Sequence, residues 1–399
     1  MSSVGGKKSI PDDLLTRNVV DIIVRDELEK KLSSGKKLNI KLGFDPTGAQ
    51  LHIGRAVTLW KLRAFQDLGH NIQFVIGNFT GTIGDSSDKD SERPMLDRKT
   101  VEQNAKDYHR QLEKILDMKK VKIFYNGDWF DNMPLSQFFE LTQHFTIQQM
   151  TERDNFSNRI KAGKPVGLHE TLYPLLQGYD SVAMKTDLEV GGTDQLFNLL
   201  AGRTVQKHFG LEPQSVMTFE LLEGLDGRKM STSWGNCIYI MDEPVEMYGK
   251  VMTLRDELIP RYFRLCTDVE IGVIEQIEQN LAAGDNPRDT KASLARAIVA
   301  RYHGGEIADR AEETWNKRFR DGEKPEHIEE VYIKKADSHN LVDFVSENFN
   351  ISKSEARRII NQNGLKIDDE ITTESALELR DGMVVQVGKH RFKRITTQK

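Results

Sequence analysis

Lys41-Leu-Gly-Phe-Asp-Pro-Thr-Gly-Ala-Gln-Leu-His-Ile-Gly-Arg55 is the stretch that decides the fold. Leu38, Ile40, Leu42 and Phe44 alternate with polar or small residues, which is the period of a strand. Asp45-Pro46-Thr47-Gly48 breaks it. His52-Ile53-Gly54 then opens an amphipathic helix whose apolar residues are Val57, Leu59, Trp60, Leu62 and Phe65. A strand feeding a glycine-containing turn at a helix N-terminus makes an anion site, because unpaired N–H groups and the helix dipole both favour a phosphate there. Thr47 and His52 add side-chain donors, and Gly54 removes a Cβ where a flat ligand could lie against the backbone.

Outward from this unit, strands and helices alternate. Residues 12–35 read as a helix with Pro11 near its first turn. The strand 38–44, the His52 helix, a strand at 72–76, a helix at 98–116 and a strand at 121–125 follow. Residues 130–185 read as a helical insertion, after which strand 188–191, helix 195–208 and strand 216–222 resume the pattern. The alternation predicts a Rossmann-like parallel α/β sheet. The turns at Asp45, at 77–84 and at Gly191 all follow strands, where such sheets bind ligands. From Met241 to about Arg320 the pattern is helical. Asp321-Gly-Glu-Lys-Pro-Glu326 reads as a linker, and a small α+β domain closes the chain. The expected division is a catalytic domain at 1–245, an α-helical domain at 246–320, a linker at 321–336 and a terminal domain at 337–399.

With 399 residues, 38% hydrophobic and 29% charged, the chain fits a soluble globular protein of two or three domains. No run of eighteen apolar residues marks a membrane span, and the N-terminus carries no apolar signal region. Cys237 and Cys266, the only two cysteines, imply a reducing, cytoplasmic compartment and neither a disulfide framework nor a metal site. The net charge of −5 argues against a general nucleic-acid coat protein but leaves local basic surfaces open. One such surface is the helix begun by Ser352-Lys-Ser-Glu355, where Lys353, Arg357 and Arg358 present cations suited to phosphates. Another is the tail from Lys389 to Lys399.

Two further constellations carry chemistry. Gly227-Arg228-Lys229-Met230-Ser231-Thr232-Ser233 is a glycine-flanked cationic loop suited to closing over a triphosphate. In Tyr173-Pro-Leu-Leu-Gln177-Gly-Tyr-Asp180, the first and last residues and Gln177 stand at i, i+4 and i+7, within an arc of about 60° on a helix. Leu172, Leu175, Leu176 and Val182 surround that polar face.

The His52 segment resembles the His-Ile-Gly-His box of class I aminoacyl-tRNA synthetases, and the Lys229 loop resembles their Lys-Met-Ser-Lys-Ser loop. The Tyr173 helix, Val190-Gly-Gly-Thr-Asp194-Gln195 and Gly81-Thr-Ile-Gly84-Asp85, with Lys89 and Arg93 beyond it, resemble tyrosyl-tRNA synthetases of the bacterial type. They point to the branch with lysine at position 41. Ser-Lys-Ser-Glu-Ala-Arg-Arg followed by Asn-Gly-Leu-Lys-Ile resembles the S4-type RNA-binding domain that ends those chains. The resemblance implies ATP-dependent activation of L-tyrosine and its transfer to tRNA(Tyr) by a cytoplasmic homodimer with no membrane attachment, with magnesium accompanying ATP. The guess for the dimer contact is residues 130–160.

By the same resemblance, Thr47 and His52 hold phosphates, Lys89 and Arg93 close on pyrophosphate, and Lys229 joins from the other side. Gly54, Thr58, Gly192 and Asp194 hold the nucleoside, with Asp45, Arg55, Met230, Ser231 and Thr232 nearby. Asp85, Tyr173 and Gln177 surround the tyrosine ammonium, Gln195 its carboxyl end, and Asp180 accepts from the phenol. Lys41 either joins the phenol or turns away.

Three positions depart from the family pattern. Arg55 stands for the second histidine of the first box, Thr232 for the second lysine of the loop, and Ser86-Ser87-Asp88 for Pro-Ser-Gly. Arg55 is expected to restore the charge lost at Thr232. The competing readings are a tryptophan enzyme, a non-catalytic RNA-binding paralogue and a small adenylyltransferase.

Overall fold

The structure is a computed structural model that describes residues 13–45, 50–85, 97–320, 328–334, 338–349, 351–374, 376–388 and 391–398. The chain packs as two compact units, Met1–Gly304 and Gly305–Lys399.

The first unit begins with β1 (Val19–Ile23), α1 (Arg25–Ser33), β2 (Asn39–Phe44), α2 (Ile53–Asp67) and β3 (Asn71–Ile76). It continues through α3 (Thr80–Ile83), α4 (Arg98–Leu112) and β4 (Val121–Tyr125). A helical run follows: α5 (Gly127–Phe130), α6 (Leu135–Thr142), α7 (Ile147–Thr151), α8 (Asp154–Lys161) and α9 (Leu168–Ala183). The sheet then resumes with β5 (Leu188–Gly192), α10 (Leu196–His208) and β6 (Ser215–Phe219). Four helices complete the unit: α11 (Pro244–Met252), α12 (Ile259–Cys266), α13 (Ile271–Ala282) and α14 (Pro287–His303).

The strands form one six-stranded sheet in the order β1-β6-β5-β2-β3-β4. All neighbours are parallel except β1, which runs antiparallel to β6. The helix read over 12–35 is therefore corrected: Val19–Ile23 is an edge strand and only Arg25–Ser33 is helical. The β-branched run Val-Val-Asp-Ile-Ile favours a strand. Thr218 ties it to β6, accepting from Asp21 N at 3.1 Å and donating to Asp21 Oδ2 at 2.9 Å. Helix α2 buries Ile53, Ala56, Val57, Leu59, Leu62 and Phe65 against the sheet. Each of the larger of these side chains contributes about 1.5–3 kcal/mol on leaving water.

Two devices hold α9 in place. Gly178 lets α10 approach, since a Cβ there would lie 2.9 Å from Val205 Cγ2 and 3.2 Å from the Ala201 carbonyl oxygen. Arg159 of α8 grips Glu170 of α9 through two 2.9 Å hydrogen bonds, and Glu170 also accepts from Gly167 N at 2.8 Å.

The second unit contains α15 (Gly305–Arg320), β7 (Glu329–Lys334), β8 (Ser338–Asn340), α16 (Leu341–Asn348) and α17 (Lys353–Asn361). Its remaining strands are β9 (Leu365–Ile367), β10 (Glu370–Ile371), β11 (Ala376–Glu378), β12 (Val384–Val387) and β13 (Arg391–Gln398). The larger sheet has the order β10-β9-β12-β13-β7, and β11 pairs with β8. Leu341, Val345, Ala356, Leu365, Val385 and Ile395 are its fully buried centre. Part of the tract read as a linker is in fact β7, parallel to β13. Val331, Tyr332 and Ile333 supply the strand character there, and Ile333 is buried. Residues 321–327 lie outside the described residues.

No helix among the described residues is long and apolar enough to cross a membrane. Cys237 and Cys266 are both free thiols and buried.

Candidate active site

The carboxyl ends of β2, β3, β4 and β5 converge with the face of α9. Asp45, immediately after β2, accepts from Tyr173 Oη at 2.8 Å and from Thr80 Oγ1 at 3.0 Å. Gly77 after β3 makes room for this, because a Cβ there would lie 1.9 Å from Asp45 Oδ1. Asp85 accepts from Gln195 Nε2 at 2.7 Å, and Asn198 Nδ2 donates to Gln195 Oε1 at 3.0 Å.

Asp180 is buried on the same face of α9. Its Oδ1 accepts from Trp129 Nε1 at 3.0 Å and its Oδ2 from Asn126 Nδ2 at 3.5 Å. Burial pushes its carboxyl up from 3.8 to about 7, opposed chiefly by the charge of Lys41. The three polar residues at i, i+4 and i+7 do share a face, and it is enclosed: Tyr173, Gln177 and Asp180 are all buried.

Lys41 is fully buried. Its Nζ lies 2.9 Å from Glu189 Oε1 and donates to the Gln177 carbonyl at 2.8 Å and to Ser181 Oγ at 2.9 Å. Three acceptors use the three donors of an ammonium, so Lys41 is held in a buried ion pair with Glu189. The cause is register: Lys41 on β2 and Glu189 on β5 are paired neighbours across the parallel sheet.

The two cationic boxes meet. Main-chain bonds run from Ile53 N to Ile238 O at 2.9 Å and from Ile240 N to Leu51 O at 3.0 Å, so the start of α2 is stitched to the segment just beyond the Lys229 loop. Lys229 Nζ lies 3.2 Å from Asp194 Oδ2. His52 Nδ1 is buried and has no hydrogen-bond partner among the described residues. Burial, then the charges of Arg55 and Lys229, lower the His52 pKa to about 3, so its ring is a neutral donor at working pH. Arg55 is exposed, with its guanidinium 5.1 Å from the Phe44 ring centre.

Gly54 and Gly192 are close-approach positions. A Cβ at Gly54 would press His52 Nδ1 at 3.1 Å, and one at Gly192 would lie 2.6 Å from Asp194 Oδ1. Thr58 is half-buried one turn along α2. Met230 is buried, Ser231 N donates to Asn236 Oδ1 at 2.9 Å, and Thr232 is exposed. Thr47, Lys89 and Arg93 lie outside the described residues. In the second unit, Lys353 pairs with Asp343 at 2.8 Å and Arg358 with Glu355 at 2.7 Å, and Arg357 is exposed on α17.

Sequence reasoning missed four contributors. Trp129 and Asn126 follow β4 directly, so the rule that ligands sit at strand ends pointed to them. Asn236 braces the Lys229 loop, donating to Asp226 Oδ1 at 2.8 Å and to the Lys229 carbonyl at 3.1 Å, and no sequence signal marks it. Arg153 is buried 3.6 Å from Asp85, its guanidinium 4.9 Å from the Phe156 ring and 5.4 Å from that of Phe197. No local sequence signal marks it.

Comparison with known proteins places this arrangement. Residues 33–320 match the family described as tRNA synthetases class I (W and Y). A tyrosine--tRNA ligase of Thermotoga maritima is 46% identical over 388 residues, 96% of each chain. One of Geobacter metallireducens is 45% identical over 392 residues, 96% of this chain and 97% of the relative. Among solved structures, a C-terminally truncated mitochondrial tyrosyl-tRNA synthetase of Aspergillus nidulans covers 79% of this chain and 95% of its own, at TM-score 0.63 and 24% identity. A tyrosyl-tRNA synthetase of Archaeoglobus fulgidus, complexed with L-tyrosine, covers 75% and 98% at TM-score 0.60 and 19% identity. These two likenesses speak to the fold alone.

Proposed function

The chain belongs to the class I tRNA synthetases of the W and Y family, and from that premise we propose that it is a tyrosine--tRNA ligase. The observation that carries the choice of amino acid is Asp180, a buried carboxylate held by Trp129 and Asn126 at the closed end of a polar helix face. A buried acceptor of this kind favours a phenol and is left unsatisfied by phenylalanine, which costs about 1–3 kcal/mol.

In the first step a carboxylate oxygen of tyrosine bonds to the α-phosphorus of ATP, and the bond to pyrophosphate breaks. The nucleophile is already ionised, so the site needs positioning and positive charge more than a general base. ATP enters with its magnesium as substrate. Neutral His52 donates to the phosphates with Thr47, Lys229 crosses from Asp194 to the leaving pyrophosphate, and Lys89 and Arg93 close over it. Asp194, freed of Lys229, takes the ribose hydroxyls beside Gly54 and Gly192. Asp85, Tyr173 and Gln177 receive the ammonium. In the second step a terminal ribose hydroxyl of tRNA attacks the acyl carbon and AMP leaves.

The exposed apolar side chains Leu135, Phe139, Ile147, Ile160 and Leu168 on α6 to α9 support a homodimer through this region. Arg357, with Lys353 and Arg358, is proposed to meet tRNA phosphates, and the cytoplasm is the compartment that supplies the substrates. Pyrophosphate exchange into ATP, measured with each amino acid in turn, tests the assignment. Exchange with tyrosine alone is expected, and exchange driven by tryptophan or by no amino acid overturns it.

A further inference from the structure

Between α9 and the strands β2 and β5 lies a buried polar network. Lys41, Ser181, Glu189 and Gln214 are all fully buried. Glu189 Oε1 takes Lys41 Nζ at 2.9 Å and Gln177 Nε2 at 3.1 Å. Its Oε2 accepts from Ser181 Oγ at 3.1 Å and from Gln214 Nε2. Two charges in so dry a place are costly to keep and often replaceable by apolar groups, so stability alone is a weak reason for them.

Their contacts suggest another reason. Two of the three Lys41 bonds end on α9, at the Gln177 carbonyl and the Ser181 hydroxyl, and Asp180 immediately precedes Ser181 on that helix. Glu189 accepts from the amide nitrogen of Gln177 at 3.1 Å, which fixes the orientation of that amide and leaves its oxygen as the acceptor. An ammonium group can be met by that oxygen and would be repelled by the flipped amide.

We infer that Lys41 and Glu189 are positioning residues for tyrosine recognition: Glu189 fixes Gln177 with its oxygen toward the substrate ammonium, and Lys41 supplies the countercharge that keeps Asp180 an acceptor for the phenol. The inference rests on the tyrosine reading above.

The charged and titratable groups facing Asp180 among the described residues are Lys41 from β2, Glu189 from β5 and Tyr173 from its own helix; Trp129 and Asn126 next to β4 are neutral donors. Lys41 is the cation of that set. It is also the largest influence opposing the rise that burial imposes on Asp180.

Two variants separate the arms. Lys41→Met/Glu189→Gln removes both charges with little change of shape. Its acid limb in kcat/KM for tyrosine, read by pyrophosphate exchange, is expected to move up, by less than the roughly one pH unit a lone countercharge is worth, because the opposing charge of Glu189 is removed together with that of Lys41. Glu189→Asp keeps both charges and draws the carboxylate back from Gln177, and with it from Lys41, Ser181 and Gln214. In the folded protein it is expected to raise KM for tyrosine about tenfold, the loss of one charge-assisted hydrogen bond, with KM for ATP in place.

A folded double variant whose acid limb stays put overturns the Lys41 arm. An unchanged tyrosine KM in Glu189→Asp overturns the Glu189 arm, and does so even where the double variant fails to fold. The wild-type protein is assayed first: absence of tyrosine-dependent exchange there defeats the functional reading itself, whereas active wild type with unmoved variants defeats only this pair.

Discussion

Lys229 Nζ and Asp194 Oδ2 are 3.2 Å apart, joining the glycine-flanked loop to the turn after β5. The pair is partly exposed, so it adds little to stability. On the proposed function, the cation assigned to phosphate is paired here with the carboxylate assigned to ribose. Binding then exchanges partners on both sides.

Lys229→Met is accordingly expected to slow tyrosine-dependent pyrophosphate exchange about 10²- to 10³-fold, as removal of one preorganised charge donor does. Tyrosine KM and the melting temperature should stay near wild type. A comparable rise in tyrosine KM would mean that the lysine serves the amino acid instead.

Tyrosine binding should weaken as pH falls through about 7, where the Asp180 carboxyl takes up its proton and ceases to accept. Below that point the loss approaches about tenfold per pH unit. Stability runs the other way for this group. Its folded pKa is raised, so the folded state holds the proton more tightly; that contribution is full below the ordinary carboxyl value and is lost as pH rises through about 7. His52, lowered to about 3, instead costs stability as pH drops below its ordinary range. Calorimetric titration with tyrosine across the neutral range checks the first point: Asp180→Asn should flatten the profile, and His52→Gln should leave it in place.

The charges of Arg55 and Lys229 both bear on the His52 ring. If its charge replaces the one absent at Thr232, Arg55→His should slow exchange about tenfold, near the value of one exposed charge–phosphate contact. Adding Thr232→Lys should restore most of it. Equal rates for wild type and Arg55→His refute the compensation.

Gly77→Ala should displace Asp45, since the added methyl would sit 1.9 Å from Asp45 Oδ1 and 2.4 Å from Thr80 Oγ1. The expected result is a higher tyrosine KM through loss of the Tyr173 contact, with the fold retained by circular dichroism.

How much of this was legible in the sequence differs by element. Strand β3 was readable because Ile72, Phe74, Val75 and Ile76 give it an apolar content that the sheet buries, and the edge strand β4 because Val121, Ile123 and Phe124 carry strand-forming side chains. Strand β1 was not, since Leu14, Leu15, Val19 and Ile22 satisfy a helical spacing and the partner that makes a strand of the segment, β6, is remote in sequence. The shared face of Tyr173, Gln177 and Asp180 followed from helical geometry alone. Lys41 was ambiguous because its partner Glu189 reaches it only through the register of β2 on β5. Arg159 with Glu170, and Asn236 in its loop, were invisible for a related reason: nothing local distinguishes a buried polar group with its partners from a solvated one.

The stitch between residues 51–53 and 238–240 is made of main-chain amides and carbonyls. Side-chain drift on either strip therefore cannot pull the two motifs apart. That freedom accounts for a chain in which both signatures have lost a letter, at Arg55 and at Thr232, while their mutual placement survives: the address is written in the backbone, and only the message is open to editing.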